Sequence, residues 1–359
     1  MSAHVAIIGA TGAVGREMLT TLEQRAFPVG RVRLFASPRS AGAVIPFRGQ
    51  SLAVEALTED SFDGVDLALF SAGAATARRF APIAAAAGAT VVDNSSAFRM
   101  DPAVPLLIPD VNPGAAALAA RQPTPGRIYA VPNCSAIILL VALTPLRSAF
   151  GIDRIVVSTY QAASGAGARA MRELTDQTRA FLEGRPVEPG LGRGGVFHEP
   201  YAFNLFSHNA PVDPATGLNG EEQKIIAESR RIWNDPALRI APTCVRVPVL
   251  RAHTESVNVT LRTPATEREV REALAAAPGV RVVDDRAANQ FPTPLKAAGG
   301  DEVLVGRIRP DPSQPQDAGR TTGFDLLIAG DQLRVGAALT AVRIAELACT
   351  PAARVAPDR

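Results

Sequence analysis

Apolar and polar positions change their rhythm once along this chain. In the first half, short β-branched runs alternate with alanine-rich stretches of helical period. The runs "HVAIIG", "RVRLFA", "DLALFS", "ATVVD" and "RIYAVP" read as strands, and the segments near 13–25, 74–87 and 113–120 as helices. Strands separated by helices predict a parallel, doubly wound sheet of Rossmann-like type. From about Gly151 the strands lengthen: "IDRIVVSTYQ", "CVRVPVL", "SVNVTLRT", "DEVLVGRIRP" and "GFDLLIAG". Several alternate with period two, which predicts a second α/β domain on a mixed, largely antiparallel sheet with one face against helices. In "CVRVPVL" the alternation sets Val245, Val247 and Val249 on one face and Arg246 on the other. Residues 183–200 are rich in glycine and proline and read as a long loop. "LRVGAALTAVRIAELA" reads as a helix that packs back on the first domain. The expected boundaries are a cofactor domain over 1–133, completed by 331–359, and a catalytic and dimerisation domain over 134–330.

Composition narrows the function classes. The chain has 359 residues, 47% hydrophobic and 20% charged, with a formal net charge of +2. That charge is too small to argue for nucleic acid or an anionic membrane. No apolar stretch reaches the ~20 residues of a membrane helix. The first apolar run lacks a preceding basic region and ends in a glycine turn, so no signal peptide is expected. Three widely spaced cysteines form no CxxC pair and no zinc pattern, so the expectation is no metal and a reducing cytoplasm. Arginine carries nearly all the positive charge, and the only lysines are Lys224 and Lys296.

Two stretches carry candidate chemistry. "VAIIGATGAVGREML" places Gly9, Gly12 and Gly15 after a strand and before a helix. Such glycines permit a tight turn and bring a pyrophosphate to the free N–H groups of the helix start. Gly9, Thr11, Gly12, Ala13 and Val14 are therefore cofactor candidates. The second strand ends in "LFASPRSAG", where an NAD site usually carries an acid for the ribose hydroxyl. Ser37, Arg39 and Ser40 stand there instead, groups suited to a 2′-phosphate, so NADP is expected over NAD. The second stretch is "YAVPNCSAIILL". Asn133 suits an N-cap, and Cys134 falls in the first helical turn, where the dipole favours a thiolate. Read alone, Cys134 is more often a small core residue at a helix start.

A family resemblance weights these alternatives. "VPNCSAI", "STYQAASGAG", "EEQKI" and "VRVPVLRAHTESV", with "GATGAVG", "ASPRSAG", "DNSSAFRM", "FNLFSHNAPV" and "GRIRPD", together resemble the aspartate-β-semialdehyde dehydrogenase family in order and over nearly the whole chain. The resemblance implies a cytoplasmic, homodimeric enzyme of lysine (diaminopimelate), threonine and methionine biosynthesis. Its reaction is the reversible NADP-dependent reductive dephosphorylation of L-4-aspartyl phosphate to L-aspartate 4-semialdehyde. Cys134 is then the nucleophile that carries a thioacyl intermediate. His253 is the general acid/base, a role that suits an imidazole whose ordinary pKa lies near working pH. Gln161 orients the substrate, Arg246 clamps its α-carboxylate, and Glu221 pairs with its ammonium. Lys224, Arg99 and Asn133 bind phosphate. Ser164, Gly165 and Gln332 lie near the nicotinamide.

Some positions depart from that pattern. The family pattern has asparagine, lysine and asparagine where this chain has Gln332, Val335 and Thr340. Two other readings share many of these features. N-acetyl-glutamyl-phosphate reductase has the same architecture but a glycine-cysteine-tyrosine context for its cysteine, unlike "NCS" here. A non-catalytic NADP-binding paralogue is expected to have lost Cys134, His253 or Arg246, and all three are present.

Overall fold

The structure is a computed structural model that describes residues 2–192 and 194–349. Arg193 of the 183–200 loop and residues 350–359 of the C-terminal segment lie outside the described residues. The chain divides into two compact units, 1–133 with 337–359, and 134–336.

The first unit is built on a seven-stranded sheet. Its strands are β1 (Ala3–Ile8), β2 (Val29–Ala36), β3 (Val44–Phe47), β4 (Gln50–Ala56), β5 (Leu67–Phe70), β6 (Thr90–Asp93) and β7 (Arg127–Ala130). Their order is β3-β4-β2-β1-β5-β6-β7, parallel throughout except for the β3–β4 hairpin. Every residue of β5 is buried, as expected for a central strand covered on both faces. Helices α1 (Ala13–Gln24) and α2 (Ala74–Ala86) fall where the sequence places them. The expected helix near 113–120 is a 3₁₀ helix, Pro113–Arg121. Strand order reverses between β1 and β5, the switch point where open α/β sheets take their ligands.

The second unit begins with α3 (Cys134–Phe150), which is apolar around most of its circumference and buried from Ser135 to Leu143. A helix apolar on all sides belongs inside a protein. It is followed by β8 (Ile152–Gln161), α4 (Ala168–Leu182), β9 (Phe206–Ser207), α5 (Gly220–Ile232), β10 (Arg239–Arg246) and β11 (His253–Ala265). Then come α6 (Glu267–Ala275), β12 (Val280–Val282), α7 (Pro294–Ala297), β13 (Val303–Pro310) and β14 (Thr321–Gly330). The sheet runs β12-β13-β14-β11-β8-β10-β9, with two parallel pairings and four antiparallel ones. Both sheets are thus as the sequence predicts, one mostly parallel and one mixed.

Two local expectations need correction. The strand around Arg246 is Arg239–Arg246, not 244–250. Its buried face is Ile240, Pro242, Cys244 and Arg246, so Arg246 points inward. Pro248 has no N–H for a ladder, and the chain leaves the sheet there. The final helix is not continuous: Arg334–Ala338 is a π turn, and only α8 (Leu339–Cys349) is α-helical. Helix α8 belongs to the first unit. Arg343 on it pairs with Asp110 at 2.6 Å, and Glu346 takes both nitrogens of Arg25 at 2.6 and 2.7 Å.

The 183–200 loop is organised around α4. Glu173 accepts the Val196 N–H at 2.5 Å, and Gln177 Oε1 accepts those of Tyr201 and Ala202 at 2.6 and 3.0 Å. On β11, Glu255 is fully buried and neither carboxyl oxygen has a hydrogen-bond partner. Desolvation raises its pKa well above the ordinary carboxyl value and so favours the neutral acid.

Candidate active site

Cys134 opens α3, half-buried, with its Sγ 3.6 Å from His253 Nε2. His253 is the first residue of β11 and is fully buried. Its Nδ1 accepts the Ala162 N–H at 3.0 Å. A neutral imidazole has one acceptor nitrogen, so the ring proton lies on Nε2 and points at the sulfur. Burial, then the neighbouring Arg246, push the His253 pKa down to about 3. The imidazole is therefore a neutral donor. That corrects the expectation of a base titrating near neutrality.

Close packing holds both groups as well. A Cβ on Gly165 would lie 2.8 Å from His253 Cε1 and 2.9 Å from Nε2. A Cβ on Gly336 would lie 2.8 Å from Cys134 Cβ. Ala252, just before His253, holds φ at 75°, an unusual value for a residue with a side chain. Its N–H donates to Gln332 Oε1 at 2.9 Å, while Gln332 Nε2 donates to Ser164 Oγ. Gln332 thus braces the turn that delivers His253. Sequence reasoning placed Gln332 and Ser164 at the cofactor and did not see this brace.

Gln161, Glu221 and Lys224 form a chain. Gln161 Oε1 accepts from Thr159 Oγ1 at 3.1 Å, and its Nε2 donates to Glu221 Oε1 at 3.1 Å. Lys224 Nζ lies 3.2 Å from Glu221 Oε2. A capping box sets the start of α5: Asn219 Oδ1 accepts the N–H groups of Glu221 and Glu222 at 3.0 Å, and Glu222 accepts that of Asn219 at 2.8 Å. Glu222 also accepts the Cys244 N–H at 2.9 Å, which ties α5 to β10.

Arg246 is buried and has no carboxylate within ion-pair distance among the described residues. Nη1 donates to Ala162 O at 2.8 Å and Nη2 to Asn209 Oδ1 at 3.0 Å, while Nε is buried without a partner. Its guanidinium stacks over Phe197, 5.6 Å from the ring centroid. Burial lowers its pKa. A desolvated cation without a counter-charge is costly, and the arrangement suits an incoming anion.

The first unit holds the remaining candidates. Gly12 caps α1 without a side-chain hydrogen bond, so the first-turn N–H groups of the Ala13–Val14 segment have no cap from its side chain. A Cβ on Gly9 would lie 2.9 Å from the Ser71 backbone, and one on Gly15 would lie 2.4 Å from Gly9 O. Only glycine fits this turn, the cradle that a pyrophosphate needs. Ser37, Arg39 and Ser40 follow β2 on an exposed 3₁₀ turn, with no acid beside them at the strand end. Arg99 is buried, donating to Val131 O at 2.9 Å and Asn94 O at 2.8 Å, and Asn133 is buried at the end of the unit.

Comparison with known proteins agrees across the chain. A family profile for the semialdehyde dehydrogenase NAD binding domain matches residues 4–119, and one for the semialdehyde dehydrogenase dimerisation domain matches 143–335. An aspartate-semialdehyde dehydrogenase of Synechocystis sp. is 50% identical over 344 residues, 96% of each chain. One of Prochlorococcus marinus is 44% identical over 346 residues, again 96% of each. The crystal structure of aspartate semialdehyde dehydrogenase II from Vibrio cholerae, complexed with ASA, superposes with a TM-score of 0.89 at 42% identity, covering 97% of this chain and 98% of that one.

Proposed function

Because this chain belongs to the aspartate-semialdehyde dehydrogenase family, we propose that it converts L-4-aspartyl phosphate and NADPH reversibly to L-aspartate 4-semialdehyde, phosphate and NADP through a thioacyl group on Cys134. The Cys134–His253 pair, 3.6 Å apart at the head of a buried helix, carries the reading.

The roles follow from the groups present. Cys134 attacks the acyl phosphate as thiolate; a C–S bond forms, the C–O bond breaks, and phosphate leaves. The Nε2–H of His253 stabilises the sulfur anion before attack. A bound nicotinamide supplies the hydride that reduces the thioester. The resulting alkoxide on the sulfur-bearing carbon collapses to aldehyde, and Cys134 regains its anion. That collapse needs no proton from His253, only a hydrogen-bond donor at the oxygen, so a neutral imidazole suffices. Gln161 orients the acyl group, Arg246 holds the α-carboxylate, and Glu221 holds the ammonium. Lys224, Arg99 and Asn133 take phosphate.

The glycine turn and the uncapped start of α1 suit a dinucleotide. The cation and two hydroxyls of Arg39, Ser37 and Ser40, with no acid at the end of β2, favour NADP. Ser164 and Gly165 line the nicotinamide side, with Gln332 bracing them. A homodimer through the second unit is supported by the dimerisation-domain match and by exposed Phe181, Leu182, Phe203 and Leu205. Free cysteines fit a cytoplasmic biosynthetic enzyme.

The test is incubation with aspartate semialdehyde, phosphate and NADP, followed at the NADPH absorbance. Wild type should generate NADPH. Cys134→Ser should abolish turnover with its circular dichroism and NADP affinity intact. Retained turnover in the variant removes the thioacyl mechanism.

A further inference from the structure

One contact of Arg246 is chemically incomplete. His208 follows β9, and its Nε2 lies 2.6 Å from Arg246 Nη2. Nη2 spends one hydrogen on Asn209 Oδ1, so the other faces His208. The second ring nitrogen is also engaged, because Nδ1 accepts the Ala210 N–H at 3.1 Å. Both ring nitrogens therefore face N–H donors, yet a neutral imidazole can accept at only one. With the proton on Nε2, that N–H meets the Arg246 N–H. With the proton on Nδ1, it meets the Ala210 N–H instead. Protonating the ring makes both contacts worse, and burial together with Arg246 pushes His208 down to about 4. Ala162 O and Asn209 Oδ1 hold Arg246 on both sides, so the imidazole is the group that shifts to admit an acceptor between the two donors. Glu221 and Lys224, from α5, are the other charges that His208 feels.

We infer that His208 is a second donor of the carboxylate clamp: its Nε2–H and Arg246 Nη2 converge on one oxygen of the substrate α-carboxylate. This rests on the reading of Arg246 as the carboxylate ligand. A carboxylate oxygen has two lone pairs and accepts both N–H groups, turning two opposed donors into a matched pair. With the proton on Nε2 the Ala210 N–H keeps its acceptor at Nδ1, and an anion takes up the two donors that are left facing each other. The role is specificity: His208 helps separate an α-amino-acid aldehyde from one that lacks the carboxylate.

The experiment compares aspartate semialdehyde with 3-aminopropanal, the same aldehyde without its α-carboxylate, each with phosphate and NADP. For His208→Ala, kcat/KM with aspartate semialdehyde should fall about ten- to hundredfold, the range for a hydrogen bond to a charged group. With 3-aminopropanal, wild type and variant should be alike. His208→Gln, which keeps an N–H near the Nε2 position, should recover most of the loss. Equal losses on both aldehydes, or no loss on either, overturn the inference. If His208→Ala does not fold, His208→Phe against His208→Gln carries the same comparison. A wild type inactive on aspartate semialdehyde overturns the functional reading, and this inference with it; an active wild type with an indifferent His208 overturns this inference alone.

Discussion

His253 shows how one backbone hydrogen bond decides the chemistry of a side chain. With Ala162 donating to Nδ1, the ring presents its proton to Cys134 and resists a second one. The acid limb of a kcat/KM profile should therefore not come from His253. Its position depends on Gly165, which leaves no room for even one methyl beside the ring. Gly165→Ala should push the imidazole away from Cys134 and lower kcat about a hundredfold, the cost typical of a misplacement near 1 Å. Steady-state kinetics check this; an unaltered kcat shows that the ring does not need that contact. Cys134, His253, Gln161 and Arg246 stood out in the sequence as candidates because they sit in motifs with an order. The protonation state of His253 was not, because it depends on a neighbour 91 positions away.

At the scale of elements, α5 illustrates how a cap serves a site. Asn219 holds the N–H of Glu221 and so fixes the first turn that carries Glu221 and Lys224. Asn219→Ala should destabilise the protein by about 1 kcal/mol. KM for aspartate semialdehyde should rise as well. Thermal unfolding and kinetics read the two effects, and a variant with neither shows the cap to be idle. The parallel sheet was readable because its strands are short, apolar and spaced by helices. The hairpin β3–β4 was missed: its turn residues, Arg48 and Gly49, both have positive φ, yet Arg48 gives no such signal in sequence. Around Arg246 the valine alternation continued past Pro248 and misled the strand assignment. His208 lies in the quoted "FNLFSHNAPV" run but was not singled out there, because its approach to Arg246 depends on the pairing of β9 with β10.

Across the whole molecule, stability responds to pH through groups that the interior keeps neutral. His253 and His208 have folded values near 3 and 4, below the ordinary 6.5. Unfolded chains bind protons there first, so their contribution is present above about pH 6.5 and lost as pH falls toward the folded values. Glu255 has the opposite sign. Its folded value is raised, so its contribution is present below the ordinary 4.5 and lost as pH rises. Glu255→Gln cannot ionise in the unfolded chain. Its melting temperature relative to wild type should be higher at pH 8 than at pH 5, and equal offsets at the two values contradict the assignment. The carboxyl on β11 thus acts as an alkaline brake on folding, opposite the acid brake set by two histidines. Between them the enzyme has a ceiling as well as a floor of acidity at which it holds together, and removing one carboxyl oxygen should lift the ceiling and leave the floor where it was.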